Sequence, residues 1–175
     1  LSTDYVFGGN LSASIPFKED APKNPVNVYG ASKAMGETLA RIANPDCIIF
    51  RVANLFGVAG ASGKGGNFVD TMVRLGGERS SLKVVNDQTM SPTSTADIAD
   101  MLLRALENDI GPGVYHAVNT GSTTWYNFTR EIFSIVGIEA EVTPCTSDEY
   151  PLKAMRPKYS ALNNEKLSSV IGGIR

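Results

Sequence analysis

Residues 27–53 read Asn-Val-Tyr-Gly-Ala-Ser-Lys-Ala-Met-Gly-Glu-Thr-Leu-Ala-Arg-Ile-Ala-Asn-Pro-Asp-Cys-Ile-Ile-Phe-Arg-Val-Ala, and the fold turns on how this stretch is punctuated. Asn27 is able to cap a helix, and Val28, Met35, Leu39 and Ile42 follow on roughly one helical face, which predicts a helix over 27–43. Asn44-Pro45 ends it. The run from Cys47 to Ala53 is almost continuously apolar, as expected of a strand covered on both faces in a parallel sheet. Upstream, residues 1–7 (Leu-Ser-Thr-Asp-Tyr-Val-Phe) read as a further strand, so the order is strand, helix, strand, that of a βαβ unit.

Between the first strand and the helix, residues 8–26 form a loop rich in Gly, Pro, Asn and Ser, long enough to suggest a role beside a site. Downstream, a glycine-rich loop over 57–66 leads into a helix from Asn67 to Leu75, then a strand from Leu82 to Val85. A polar loop over 86–95 contains Pro92, and Ser94 or Thr95 caps a helix over 96–106 with Ile98, Met101, Leu102 and Ala105 at helical spacing. Val114 to Val118 is a strand, Thr123 or Thr124 opens a helix to Val136, Glu139 to Thr143 is a strand, and 163–170 is helical. Alternating strands and helices place the chain in the α/β class, and 175 residues with 42% hydrophobic content suit one domain over 1–175.

Composition narrows the function. Sixteen basic against 18 acidic residues give a net charge of -2 with no basic stripe, which argues against a nucleic-acid partner. Cys47 and Cys145 lie far apart without a CxxC, and one histidine, His116, leaves no set of zinc ligands, so no metal is expected. No apolar run approaches the roughly 20 residues of a membrane span, and no signal-peptide pattern opens the chain, so the expectation is a cytoplasmic protein. Leu1 runs directly into the first strand, which suggests that a segment precedes it.

Tyr29-Gly30-Ala31-Ser32-Lys33 puts a phenol and an ammonium four residues apart on one helical face. A tyrosine with an ordinary pKa near 10 transfers protons poorly at neutral pH, and a nearby positive charge favours its ionised form. Lys33 stands where it can supply that charge. Alone, the motif equally describes a surface lysine one turn from a half-buried tyrosine. Ser2 and Thr3 supply the context, because they set hydroxyls at the end of a strand, where open parallel sheets bind their ligands.

These segments together resemble the extended short-chain dehydrogenases, and within them the dTDP-4-dehydrorhamnose reductases. The likeness extends through Pro16-Phe17, Glu19-Asp20, Pro25 to Lys33, Gly36-Glu37, Phe50-Arg51, Gly66-Asn67-Phe68, Asn86-Asp87-Gln88, Pro92-Thr93, Arg156 to Leu162 and Lys166-Leu167. It implies part of a Rossmann-like parallel sheet with a small α/β substrate-binding region. By the same resemblance Thr3 polarises a substrate carbonyl, Tyr29 transfers a proton to its oxygen, and Lys33 holds the nicotinamide ribose and tunes Tyr29. Tyr29 and Lys33 are thus the cofactor-binding candidates, with NADPH or NADH as cofactor. Asp4, Tyr5, Asn86, Gln88 and Arg156 are the substrate-side candidates for a nucleotide-diphosphate sugar, Arg156 because a guanidinium fork matches phosphate oxygens; Asp4, beside Thr3, reads equally as a hydrogen-bond acceptor behind it or as a solvated turn residue, and Asn86 and Gln88 as contacts to the ligand or as supports of their own loop.

Relatives in the superfamily differ at the same strand end. Dehydratases resemble Thr-Asp-Glu there, with the acidic pair eliminating water, whereas the third residue here is Tyr5; this favours simple reduction of a 4-keto-6-deoxy sugar. Epimerases, with a Ser-Ser or Ser-Ala pattern, are a weaker alternative, and a partner-binding regulatory subunit on the same scaffold is another. One departure is Arg51-Val52-Ala53-Asn54-Leu55-Phe56, where the rhamnose-forming reductases usually carry an aromatic, often Trp, near the sugar. His116 and Trp125 read as packing residues. A GxxGxxG turn for the dinucleotide pyrophosphate is missing from the chain, and the stretch from Gly57 to Gly66 lies downstream of the YxxxK motif without an acidic ribose partner. The chain therefore reads as the carboxy-terminal portion of such an enzyme, whether as a fragment, a truncated product or one half that pairs with the other half or with a second copy.

Overall fold

A computed structural model describes residues 1–10, 12–59, 66–150 and 153–174. Its frame is a parallel three-stranded sheet ordered β1 (Ser2–Thr3), β2 (Ile48–Val52) and β7 (Gly113–His116), with Ser2 opposite Arg51 and Phe50 opposite Tyr115. Helix α1 (Val28–Ala43) links β1 to β2, as the βαβ reading expects. Asn27 caps it, its side-chain oxygen accepting from the Gly30 N–H at 2.8 Å.

The first strand is shorter than the sequence suggests. After Thr3 the chain turns into a 3-10 segment over Asp4–Val6, because the Thr3 hydroxyl accepts from the Tyr5 N–H at 3.2 Å and caps the turn. Val6 and Phe7 are buried, yet they pack with Ala53, Val118 and Leu162 rather than extending the ladder. An apolar run marks burial here, not strand.

Beyond β2 come β3 (Leu55–Phe56), α2 (Phe68–Glu78), β4 (Ser81–Val85), β5 (Thr89–Met90), β6 (Thr93–Ser94) and α3 (Thr95–Glu107). After β7 follow β8 (Thr123–Thr124), α4 (Trp125–Val136), β9 (Glu141–Cys145) and α5 (Glu165–Ile171). Asn67 starts α2 with a capping box, accepting from the Val69 and Asp70 N–H groups while Asp70 accepts from the Asn67 N–H at 3.0 Å. Residues 60–65 of the glycine-rich loop lie outside the described residues.

Two cores result. Along β2 side chains alternate: Phe50 and Val52 pack with Ile98 and Met101 of α3 and Leu167 and Ile171 of α5, while Arg51 turns to the α1 side. The second core lies over the parallel pair β4 and β9, where Leu82 and Val84 pack with Ile132 and Phe133 of α4 and with Met72 and Val73 of α2. This is the small α/β region the resemblance implies, attached to a Rossmann-like parallel sheet.

The inward side of α1 is unusual. The stripe of Val28, Met35, Leu39 and Ile42 is exposed, and the buried residues of the helix are Gly30 and Glu37. Glu37 pairs with Arg51 through two hydrogen bonds of 2.8 Å and also accepts from the Ser2 hydroxyl at 2.5 Å. Burial raises the Glu37 pKa, but the hydrogen bonds from Arg51 and Ser2 and the charges of Arg51 and Lys23 outweigh it, and the net shift is downward. Arg51 also donates to the Glu19 carbonyl at 3.1 Å and meets His116 Nε2 at 3.3 Å. A guanidinium has no acceptor, so Nε2 accepts and Nδ1 carries the proton given to the Asn163 carbonyl at 3.0 Å. Burial and the Arg51 charge push the His116 pKa down to about 4, which fixes it as a neutral packing residue.

Candidate functional site

The end of β1 gathers the first group of candidates. A Cβ on Gly30 would stand 2.1 Å from the Tyr5 carbonyl oxygen, so only glycine lets the first turn of α1 touch the turn after β1. That approach brings Tyr29 edge-on to Tyr5, ring centroids 5.8 Å apart, and leaves Tyr29 54% exposed. One helical turn later Lys33 Nζ donates to the Leu1 carbonyl at 2.7 Å, which ties its ammonium to the start of β1. Tyr5 and Tyr29 thus meet just past the end of β1, with Lys33 held at the start of that strand and Thr3 buried at 5% exposure.

Asp4 is not the solvated turn residue that one reading of the sequence allows; it is the hydrogen-bond acceptor beside Thr3. The 3-10 turn tucks it beneath the surface at 2% exposure, so it is not presented for direct contact with a ligand. The Thr3 hydroxyl donates to Asp4 Oδ1 at 3.0 Å, and Oδ2 has no hydrogen-bond partner among the described residues. Burial pushes the Asp4 carboxyl up to about 6, against the Ser160 and Thr3 hydroxyls and the backbone N–H groups of Asp4 and Tyr5, which favour the ionised form. Burial also raises the Tyr5 phenol, with the Arg156 charge acting in the opposite sense. Arg156 is placed by its neighbours Met155 and Pro157. Its segment crosses the site: Asn27 Nδ2 donates to the Met155 carbonyl at 2.8 Å, and Pro157 packs so close to Gly8 that an added Cβ would lie 2.7 Å away.

Arg156 also borders a cavity of about 350 Å³ in the region of β4, α2 and α4, together with Gln88, Lys83, Phe68, Met72 and Trp125. Trp125 Nε1 donates to Gln88 Oε1 at 3.2 Å and its ring packs on Phe68 with centroids 4.4 Å apart, so the residue read as packing also shapes this wall. Neither Phe68 nor Trp125 was legible as a site residue, because an aromatic near a helix start carries no distinguishing pattern. Asn86 lies outside the cavity lining; it is exposed, and its Oδ1 accepts from the Thr124 hydroxyl at 2.7 Å, which steadies the start of α4. A larger cavity of about 590 Å³ is floored by Glu37 and Arg51 and touches none of the candidates, so size does not identify the site here.

Asn54 adds an unexpected feature. Its φ of 43° is in the left-handed region, and its buried amide nitrogen has no partner among the described residues. Asparagine tolerates that backbone better than most residues.

A parallel sheet whose first strand ends in Thr3, followed by a helix that opens with Tyr29 and Lys33, defines the extended short-chain dehydrogenase class of Rossmann-like folds. The RmlD substrate binding domain family matches residues 1–175. The spore coat polysaccharide biosynthesis protein SpsK of Bacillus subtilis is 38% identical over 175 residues, spanning all of this chain and 58% of its own length. A dTDP-4-dehydrorhamnose reductase structure from Clostridium acetobutylicum superposes with a TM-score of 0.87 at 41% identity, covering 99% of this chain and 60% of that one. A second, from Bacillus anthracis in complex with NADP, gives a TM-score of 0.87 at 37% identity over 99% of this chain and 59% of its own. The chain belongs to the RmlD substrate binding domain family, that of the dTDP-4-dehydrorhamnose reductases, and spans less than two thirds of these relatives. Among the described residues no helix is long and apolar enough to cross a membrane.

Proposed function

We propose that this chain forms the proton-transfer and sugar-nucleotide-binding portion of a reductase acting on a nucleotide-diphosphate-linked 4-keto-6-deoxy sugar. The observation that carries the reading is the position of Arg156, on the rim of the cavity lined by Phe68 and Trp125 and between Met155 and Pro157, which touch Asn27 before α1 and Gly8 after the turn of Tyr5. A substrate with its keto sugar at Tyr29 and its nucleotide in the cavity would pass its diphosphate across that guanidinium.

The roles follow from the side chains. Tyr29, exposed and one turn from Lys33, gives its phenolic proton to the carbonyl oxygen as it becomes a hydroxyl, and Thr3 holds that oxygen through its hydroxyl. Gln88, fixed by Trp125, keeps its amide N–H groups for the substrate. The donors at hand also suit a nicotinamide cofactor: the Tyr29 hydroxyl and the Lys33 ammonium lie on one exposed face where ribose hydroxyls could be held. When bound, NADPH or NADH supplies the hydride. The test is Tyr29→Phe, which should lower kcat by about a hundredfold or more in NADPH oxidation with a dTDP-4-keto-6-deoxy sugar while leaving the fold intact by circular dichroism. Turnover close to that of the unaltered protein rules out the proton-transfer role.

A further inference from the structure

The Thr3 hydroxyl raises a difficulty for carbonyl polarisation, because its one proton is directed at Asp4 Oδ1, 3.0 Å away, while the Tyr5 N–H occupies a lone pair. A donor committed to a carboxylate is not available to a substrate. Moreover, an ionised Asp4 would place a buried negative charge one residue from the oxygen on which reduction builds negative charge. Burial also disfavours the ionised form: Asp4 is 2% exposed and Oδ2 is shielded from solvent with no donor within hydrogen-bond distance among the described residues, against which the Ser160 hydroxyl acts on the carboxyl in the opposite sense.

We propose that Asp4 is a positioning residue for Thr3: as the carboxylic acid, its Oδ1–H donates to Thr3 Oγ1 and frees the Thr3 proton to point at the substrate carbonyl oxygen. Thr3 Oγ1 then accepts from both the Tyr5 N–H and Asp4 and donates once, which uses its full capacity. No proton leaves Asp4 during turnover; it sets the direction of its neighbour's O–H. The inference rests on the reductase reading above and assigns to Asp4, rather than substrate contact, control over which way the Thr3 hydroxyl points. Asp4's raised pKa agrees with the acid form being accessible, and the groups that act on the carboxyl are Thr3, Ser160 and the backbone N–H groups of Asp4 and Tyr5. Tyr5, which feels the Asp4 charge, is also under the charge of Arg156 and beside Tyr29.

The experiment compares pH profiles of kcat for the unaltered protein, Asp4→Asn and Asp4→Ala. The unaltered protein should lose kcat, with KM little changed, as pH rises through the ionisation of Asp4. Asp4→Asn, whose amide N–H donates to Thr3 at every pH, should abolish that limb and recover kcat to within about threefold of the acid plateau; Asp4→Ala should lose tenfold or more. A limb that persists in Asp4→Asn overturns the proposal while leaving the reductase reading in place. No turnover by the unaltered protein with any keto-sugar nucleotide overturns both. Should either variant fail to fold, 13C-carboxyl NMR of the unaltered chain decides the matter: Asp4 titrating near 6 supports the acid form, and ionisation complete by the ordinary aspartate range overturns it.

Discussion

Replacing Glu37 by leucine tests whether the buried pair beneath α1 is built as described. Glu37 and Arg51 have 4% and 3% exposed side chains, and Glu37→Leu strips Arg51 of both 2.8 Å hydrogen bonds and Ser2 of its 2.5 Å acceptor. Removing one member of a buried pair leaves an uncompensated charge and typically costs about 3–5 kcal/mol. A loss of about 4 kcal/mol lowers the folding equilibrium roughly a thousandfold, a large share of ordinary domain stability. The double replacement Glu37→Leu with Arg51→Met removes both charges and should recover most of that loss. Urea denaturation followed by far-ultraviolet circular dichroism measures it. Trp125, the single tryptophan, belongs to the core over β4 and β9, so its fluorescence shows in addition whether the two cores unfold together. A loss under about 1 kcal/mol, or a double variant no better than the single, refutes the reasoning.

Two further outcomes concern pH and ligand. His116, with its pKa lowered from 6.5 to about 4, contributes about 3 kcal/mol that is present above 6.5 and lost as pH falls through about 4. Asp4, raised from 3.8 to about 6, acts in the opposite sense, its contribution present below 3.8 and lost as pH rises through about 6. The two nearly cancel in between, so Asp4→Asn should gain stability over the unaltered chain by about 1.4 kcal/mol per pH unit from 4 to 6; parallel urea midpoints in both proteins would falsify this. Arg156→Ala should weaken dTDP binding about tenfold or more by calorimetry, with Lys153→Ala on the same segment as control. Equal affinities in the two variants take Arg156 out of the phosphate site.

The βαβ frame was legible because α1 and β2 carry long, unbroken patterns. The strands β3, β5, β6 and β8 were not, since two residues have no period to detect. The Thr3 cap that ends β1 was hidden for a related reason: a threonine before an aspartate reads the same in a strand or a turn. At the site, spacing pointed to Tyr29 and Lys33; the structure sets Tyr29 edge-on to Tyr5 and ties Lys33 to the Leu1 carbonyl. Depth was beyond the sequence: nothing in it shows that Asp4 is under the surface or that Asn86 is spent on Thr124. Glu37 and Arg51, 14 residues apart on different elements, leave no local trace of their pairing.

The long loop of residues 8–26 is pinned at spaced points. The Gly9 N–H donates to the Asn24 carbonyl at 2.8 Å, the Phe17 N–H to the Ala161 carbonyl at 2.8 Å, and Arg51 holds the Glu19 carbonyl. Its length is thereby divided into short independent spans. Residues 12–16 form a tip whose closure entropy grows only slowly with added residues, because the anchors on either side absorb the constraint. Residues added at that tip should leave Thr3 and Tyr29 where they are, which makes it a natural place for a fused peptide or a reporter label.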